Sequence, residues 1–376
     1  MKLRFDNIKR ARILDTSALP GIEWAEGLEF GIPEDLLSDE SFFCKSPDGY
    51  KLVGRRPNPS IGNDLALLCA FTNQKPASSR MPFSYQKIPI FLRTLIGRAF
   101  GLRMRRNKNK WASFPGFPLD LSADLLSDMS GCHSPFSGQV APVILSHDLD
   151  TLEGLQNAVH LFLPIEEDVG AVSVNFIVPF GWDIDMTLVE ELKGRGHEMG
   201  IHGYDHSNLT AYCSGETLHE RIKRGKCEFA DHTVMGYRAP SLVRTRILLA
   251  GLSNFYRYDS SVPTSGGPFP VPNNGCATAR PFRIEGIWEL PLTMPRDGSL
   301  LFLGYSPEKI LSIWKKCALE IALSGGLIFL LTHCEKRFSG RSDMLDIYER
   351  FLHFLNESDA FYWSTPARVL DLCESI

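Results

Sequence analysis

From Pro142 to the C-terminus the chain keeps one rhythm: a short apolar run, a loop, an amphipathic stretch, then another apolar run. Residues 143–145, 171–178, 199–201, 234–237, 255–258, 287–290, 327–331 and 361–363 read as strands. Residues 152–163, 186–193, 216–229, 244–252, 306–323, 343–356 and the stretch from Thr365 onward read as helices, the first stopped by Pro164. Ser306-Pro307 and Thr365-Pro366 each pair an N-cap hydroxyl with proline in the first turn, and Gly325-Gly326 ends the longest helix. Strands that alternate with helices run parallel, which makes this an α/β architecture.

Polar residues collect where the strands end. Ser146-His147-Asp148-Leu149-Asp150 follows the first apolar run, and GHEMGIHGYDHSNL spans 196–209. There His202 and His206 stand four apart. Neutral imidazoles at that spacing converge on one cation if the backbone turns or starts a helix. A metal that does chemistry wants a third ligand and an open position. The paired aspartates offer a ligand and a free base. Taken singly, an H-x-x-x-H is more often solvated or structural, and a D-x-D is as often a turn or a helix cap. Three more features follow in order: Gly236-Tyr237-Arg238-Ala239-Pro240, Tyr258-Asp259-Ser260-Ser261 and Leu330-Leu331-Thr332-His333.

In this order the five features resemble the motifs of the polysaccharide deacetylase (NodB-homology) family, from Pro142 to the end of the chain. The resemblance implies an irregular (β/α) barrel, seven-stranded and incompletely closed. Active sites of such barrels sit at the C-terminal ends of the strands. It implies Asp150, His202 and His206 as ligands of a divalent metal ion. One carboxylate and two imidazoles suit zinc, and also cobalt, nickel, iron or manganese. Asp148 resembles the family's base, His333 its general acid, Arg238 the arginine that holds the base, and Asp259 the carboxylate that orients the catalytic histidine. The commonest family pattern has adjacent aspartates followed by glycine; here the run is Asp148-Leu149-Asp150-Thr151. That D-x-D branch includes enzymes on small amides and rings as well as on sugars. Glu198 is a candidate partner for the metal histidines, and Glu289 and Asp297 are candidates to line the cleft. Trp182, Tyr204 and Trp288 could stack on a sugar, with core packing the plainer reading.

The implied activity is metal-dependent removal of an N-acyl group from an amino-sugar glycan or glycan precursor. The alternatives are hydrolysis of a non-sugar amide or cyclic imide, and a non-catalytic carbohydrate-binding relative. No G-x-S-x-G elbow, P-loop or G-x-G-x-x-G occurs. The net charge of -4 gives no pull toward nucleic acid. Nine scattered cysteines without a C-x-x-C pair fit free thiols in a reducing compartment. The charged start, MKLRFDNIKRARILD, lacks a signal-peptide core. A cytoplasmic location is therefore expected, and with it a nucleotide- or lipid-linked sugar substrate.

Residues 1–138 break the rhythm and read as an N-terminal α+β extension, joined to the barrel of 139–376 by a Ser-, Gly- and Pro-rich linker over 129–139. Short strands are expected at Ile22-Glu23-Trp24 and Leu52-Val53-Gly54, and short helices over 61–71 and from Ser122. No Asp or Glu occurs from Leu65 to Leu119, a span that carries Lys75, Arg80, Lys87, Arg93, Arg98, Arg103, Arg105, Arg106, Lys108 and Lys110. Ile90, Phe91, Leu95, Ile96, Phe100 and Leu102 lie among those arginines at near-helical spacing. The segment 88–110 reads as a helix packed on the barrel by its apolar face, or as a contact with an anionic membrane or a substrate phosphate.

Overall fold

The computed structural model describes residues 8–17, 21–27, 29–33, 43–52, 60–71, 88–106, 115–116, 119–136, 140–229, 233–265 and 275–375. The N-terminal part pairs β1 (Ile8–Arg12) with β2 (Glu29–Pro33) and β3 (Phe43–Ser46) with β4 (Gly49–Leu52), all antiparallel. Helices α1 (Ile61–Ala70) and α2 (Ile90–Arg106) follow, then the short pair β5 (Pro115–Gly116) and β6 (Leu119–Asp120), and helix α3 (Ser122–Met129). The strand expected at Ile22-Glu23-Trp24 is instead a 3-10 turn, Glu23–Ala25, that buries Ile22 and Ala25. Val53, Gly54, Lys75, Arg80, Lys87, Lys108 and Lys110 lie outside the described residues.

The second part begins with β7 (Ala141–Leu149), buried at every position. Helix α4 (Leu152–Asn157) follows and does not stop at Pro164. A π-helical turn, Ala158–Phe162, carries the chain into α5 (Leu163–Asp168). Pro164 thus falls in the first turn of α5, where a missing N–H costs little, so proline begins a helix here rather than ending one. The units continue with β8 (Ser173–Ile177), α6 (Met186–Gly194), β9 (Glu198–His202), α7 (Gly215–Cys227), β10 (Val234–Arg238), α8 (Arg246–Leu252) and β11 (Tyr258–Asp259). Then come β12 (Phe282–Ile284), β13 (Ile287–Glu289), α9 (Asp297–Phe302), α10 (Pro307–Leu323), β14 (Ile328–His333), α11 (Ser342–Asn356), β15 (Phe361–Trp363) and α12 (Pro366–Glu374).

The strands form one sheet in the order β12-β13-β11-β10-β9-β8-β7-β14, with β15 also on β7. Eight are mutually parallel, one more than the seven expected, and β12 is antiparallel to β13. The β12–β13 hairpin turns through Glu285 and Gly286, both at positive φ, the backbone of a tight two-residue turn. Past β13 the extended chain bridges toward β14: Leu292 N–H donates to the Val262 carbonyl (2.9 Å) and Met294 N–H to that of Phe329 (3.1 Å). This is an irregular (β/α) barrel. Parallel register brings the strand ends to one rim, setting His333 beside Asp148 and Arg238 beside His202. The apolar core runs from Leu65, Leu121 and Leu125 of the N-terminal part into the barrel without a break.

Candidate active site

Asp148, Asp150, His202, His206 and His333 line one cavity of about 110 Å³ at the strand ends. β7 delivers the two aspartates and β9 ends on His202. Gly203, at φ +74, then turns the chain back against Pro240, where a Cβ would collide with the proline ring. His206 itself sits at φ +57, in the left-handed region that few residues other than glycine adopt. The loop that holds it there is braced by Asp205, which accepts from the Ser207 N–H (3.1 Å) and from Arg221 Nη2 (2.7 Å).

One ligand atom from each of Asp150, His202 and His206 lies within 4.8 Å of the others. His206 Nε2 is 3.2 Å from Asp150 Oδ2, and His202 Nε2 is 3.5 Å from Asp150 Oδ1. His202 Nδ1 is 3.0 Å from the Arg238 carbonyl and donates to it, which leaves the Nε2 lone pair facing the cavity. Burial pushes the His202 imidazole down and takes His206 to about 4, so both are neutral, as metal ligation requires. Burial pushes the Asp150 carboxyl up, and its Oδ1 has no hydrogen-bond partner among the described residues. A buried acceptor without a donor beside two neutral imidazoles fits a bound cation. The three expected ligands are therefore together, and they could bind a metal.

Asp148 has different surroundings. Its Oδ1 accepts from Arg238 Nη1 at 2.8 Å. Burial alone would raise this carboxyl; the Arg238 guanidinium bonded to it and the protonated His333 outweigh burial and hold it well below the usual carboxylate range. Arg238 is fully buried, 3.9 Å above the Phe176 ring, and donates also to Ser146 Oγ, the Ser260 carbonyl and Ser260 Oγ.

Asp259 is not beside His333. Its carboxylate accepts from the N–H and the hydroxyl of Ser261, and Glu289 lies against it. Ser261 Oγ in turn accepts from the Ala239 N–H, so Asp259 braces the turn that carries Arg238. The carboxylate on His333 Nδ1 is Asp297, at 2.9 Å. Asp297 also accepts from the His333 N–H and from Ser339 Oγ, both at 2.8 Å. Burial alone would lower His333; the Asp297 charge and hydrogen bond outweigh it and raise the imidazole to about 9. In the sequence only the run Pro295-Arg296-Asp297, which opens α9, points to this residue, and it points to the cleft rather than to His333.

The remaining candidates lie elsewhere. Glu198, at the start of β9, hydrogen-bonds with Thr365 and feels the Arg368 charge, away from His202 and His206. Glu289 is buried against Asp259 and accepts from the Val262 N–H. Trp182 donates to the Val178 carbonyl, Tyr204 packs on Phe180 and Arg221, and Trp288 donates to Glu374. None of these aromatics lines the cavity among the described residues.

No protein-family model matches the chain, and no curated protein matches it. Solved structures do. A candidate polysaccharide deacetylase from Mycobacterium smegmatis is 18% identical with a TM-score of 0.51, covering 64% of this chain and 92% of that one. The Puue allantoinase is 13% identical with a TM-score of 0.51, covering 69% of this chain and 98% of that one. The chain has the fold of the NodB-homology polysaccharide deacetylases.

Proposed function

We propose that the chain is a metal-dependent hydrolase that removes an N-acyl group, first of all N-acetyl, from an amino-sugar glycan or glycan precursor. One observation carries this reading: a base held by Arg238 and an acid held by Asp297 share a cavity with three convergent metal-ligand residues. A divalent cation held by Asp150, His202 and His206, zinc by the donor set, would polarise the amide carbonyl and acidify the attacking water. Asp148 takes a proton from that water as its oxygen bonds to the carbonyl carbon. His333, kept protonated by Asp297, gives a proton to the nitrogen as the C–N bond breaks. The products are a carboxylate and a free amine. Binding alone needs neither the base nor the acid, which disfavours a non-catalytic reading.

The test is incubation of zinc-loaded protein with N-acetylated chitooligosaccharides, with acetate and free amine measured by mass spectrometry. Release that disappears in Asp148→Asn is expected. A second reading, hydrolysis of a cyclic amide or ureide, is favoured by the Asp148-Leu149-Asp150 spacing and by the likeness to an allantoinase. Turnover of a cyclic ureide with none of the acetylated sugars would replace the first reading by the second.

A further inference from the structure

Helix α2 packs the opposite way round from an ordinary amphipathic helix. It meets the barrel through Gly97 and Gly101, which lie so close to Phe302 that a Cβ at either would collide with it. The large apolar side chains face out. Phe91, Leu92, Leu95, Ile96, Phe100 and Leu102 are between 38% and 69% exposed. The helical period sets Leu92, Leu95 and the exposed Ala99 on the side away from the two glycines. No other described element carries as many: Leu319 and Leu323 share α10, and Leu152, Met186 and Ile247 stand singly. Single exposed apolar residues are normal; six on one helix mark an interaction surface.

The charge on α2 itself has one sign. No acidic residue occurs between Leu65 and Leu119, and Arg98, Arg103 and Arg105 are exposed on α2. Arginine stems lie along apolar surface while the guanidinium reaches polar ground, which suits the boundary between acyl chains and phosphates. No described helix is long and apolar enough to cross a membrane, so α2 would lie on a bilayer rather than span it. A second cavity, of about 450 Å³, opens between α2 and the barrel. Arg98, Arg337 and Arg341 line it, and it shares Phe302, Arg337 and Phe338 with the metal cavity.

We propose that α2 lies on an anionic phospholipid surface, with its apolar side chains in the acyl boundary and its arginines at the phosphates. The metal cavity then opens at the lipid–water interface, beside the pocket that Arg98, Arg337 and Arg341 line. The substrate half of this inference rests on the hydrolase reading: the amino sugar would be presented on a phosphate-linked lipid. The docking half stands without it.

The experiment is co-sedimentation of the full chain with phosphatidylcholine vesicles, with and without phosphatidylglycerol. Binding to the anionic vesicles that weakens with added salt is expected, because exposed charges are screened over about 10 Å at 0.1 M. The variant Leu95→Gln/Ile96→Gln/Phe100→Gln is expected to bind them roughly tenfold or more weakly, since interfacial helices hold by buried apolar area. Its circular dichroism and its activity on a water-soluble acetylated glycan are expected to be unchanged. Wild type that stays in the supernatant, or a variant that pellets equally, would overturn the proposal. So would a wild-type dimer that the variant turns to monomer without any vesicle binding, which would give the face to a second copy. Vesicle binding by a protein that hydrolyses no acetylated sugar would keep the docking surface and remove the amino-sugar deacylase reading alone.

Discussion

Two aspartates two residues apart, Asp148 and Asp150, have different neighbours. Asp148 meets a guanidinium at 2.8 Å, and Asp150 meets two neutral imidazoles. Asp148→Asn is therefore expected to keep bound zinc and lose turnover, since an amide cannot take the proton. Asp150→Asn and His202→Ala are expected to lose most of the metal, because three ligands leave no redundancy. Elemental analysis beside activity separates these outcomes, and a metal-free Asp148→Asn would reverse the two roles. The His333–Asp297 pair makes a pH prediction. The acid works while protonated, so activity falls as pH rises through the His333 value, held near 9 by Asp297 against burial. Asp297→Asn removes the charge that raises it, and the alkaline limb of the rate profile moves to lower pH, with kcat lower by roughly 10²–10⁴-fold if the acid is lost altogether. Asp259→Asn is expected to leave that limb in place, because its carboxylate contacts Ser261 rather than His333. The two carboxylates could not be told apart in the sequence. Asp297 reaches His333 across 36 positions, and which strand-end acid meets which base follows from sheet order.

At the level of elements, what could be read locally was local. Ser306 and Thr365 accept from the N–H groups of Lys309 and Arg368, so the caps of α10 and α12 were visible as hydroxyl-proline pairs. The apolar runs of β7 and β14 were visible because both faces are covered. The β12 strand was not, since Phe282-Arg283-Ile284 sets an exposed charge between only two apolar residues. Nor was the facing of α2, because its contact with the barrel is made by glycines, which have no side chain to reveal a buried face. This gives a prediction that periodicity alone would not. Gly101→Val puts branched carbons against the Phe302 backbone carbonyl, which cannot swing aside as a side-chain end can. The substitution should detach α2 and destabilise its packing by about 1–3 kcal/mol, the usual range for overpacking. Hydrogen exchange over 90–106 should rise while exchange in β7 and β14 stays slow. Unchanged protection in α2 would show that the glycine face is not what holds it.

The whole molecule is stitched across the boundary that composition suggests near residue 138. Arg280, 8% exposed, donates to both oxygens of Asp128 (2.7 and 2.9 Å), lies 3.7 Å from Asp124 and reaches the Ser324 carbonyl. Asp124 also accepts from the Ala279 N–H at 2.8 Å and from the Thr278 hydroxyl, and Trp24 donates to Asp128. Two carboxylates of α3 are thus neutralised by one arginine from the barrel. Arg280→Ala leaves them buried without their cation and is expected to destabilise by about 3–5 kcal/mol, as for other buried pairs that lose one partner. Urea unfolding should show one transition, moved to lower urea, because the core is continuous across the boundary. Two transitions with only one displaced would mean independent units. The loss should also depend on pH. Burial already raises Asp124 to about 6 despite Arg280, and without the arginine it rises further. A carboxyl whose folded value exceeds its unfolded one, about 3.9, gives up stability as pH climbs from the unfolded value through the folded one. Arg280→Ala should therefore cost less at pH 5, where the carboxyl takes up a proton, than at pH 8, where it must stay buried and charged. An equal loss at both would show that packing of the arginine stem, rather than its charge, joins the two parts.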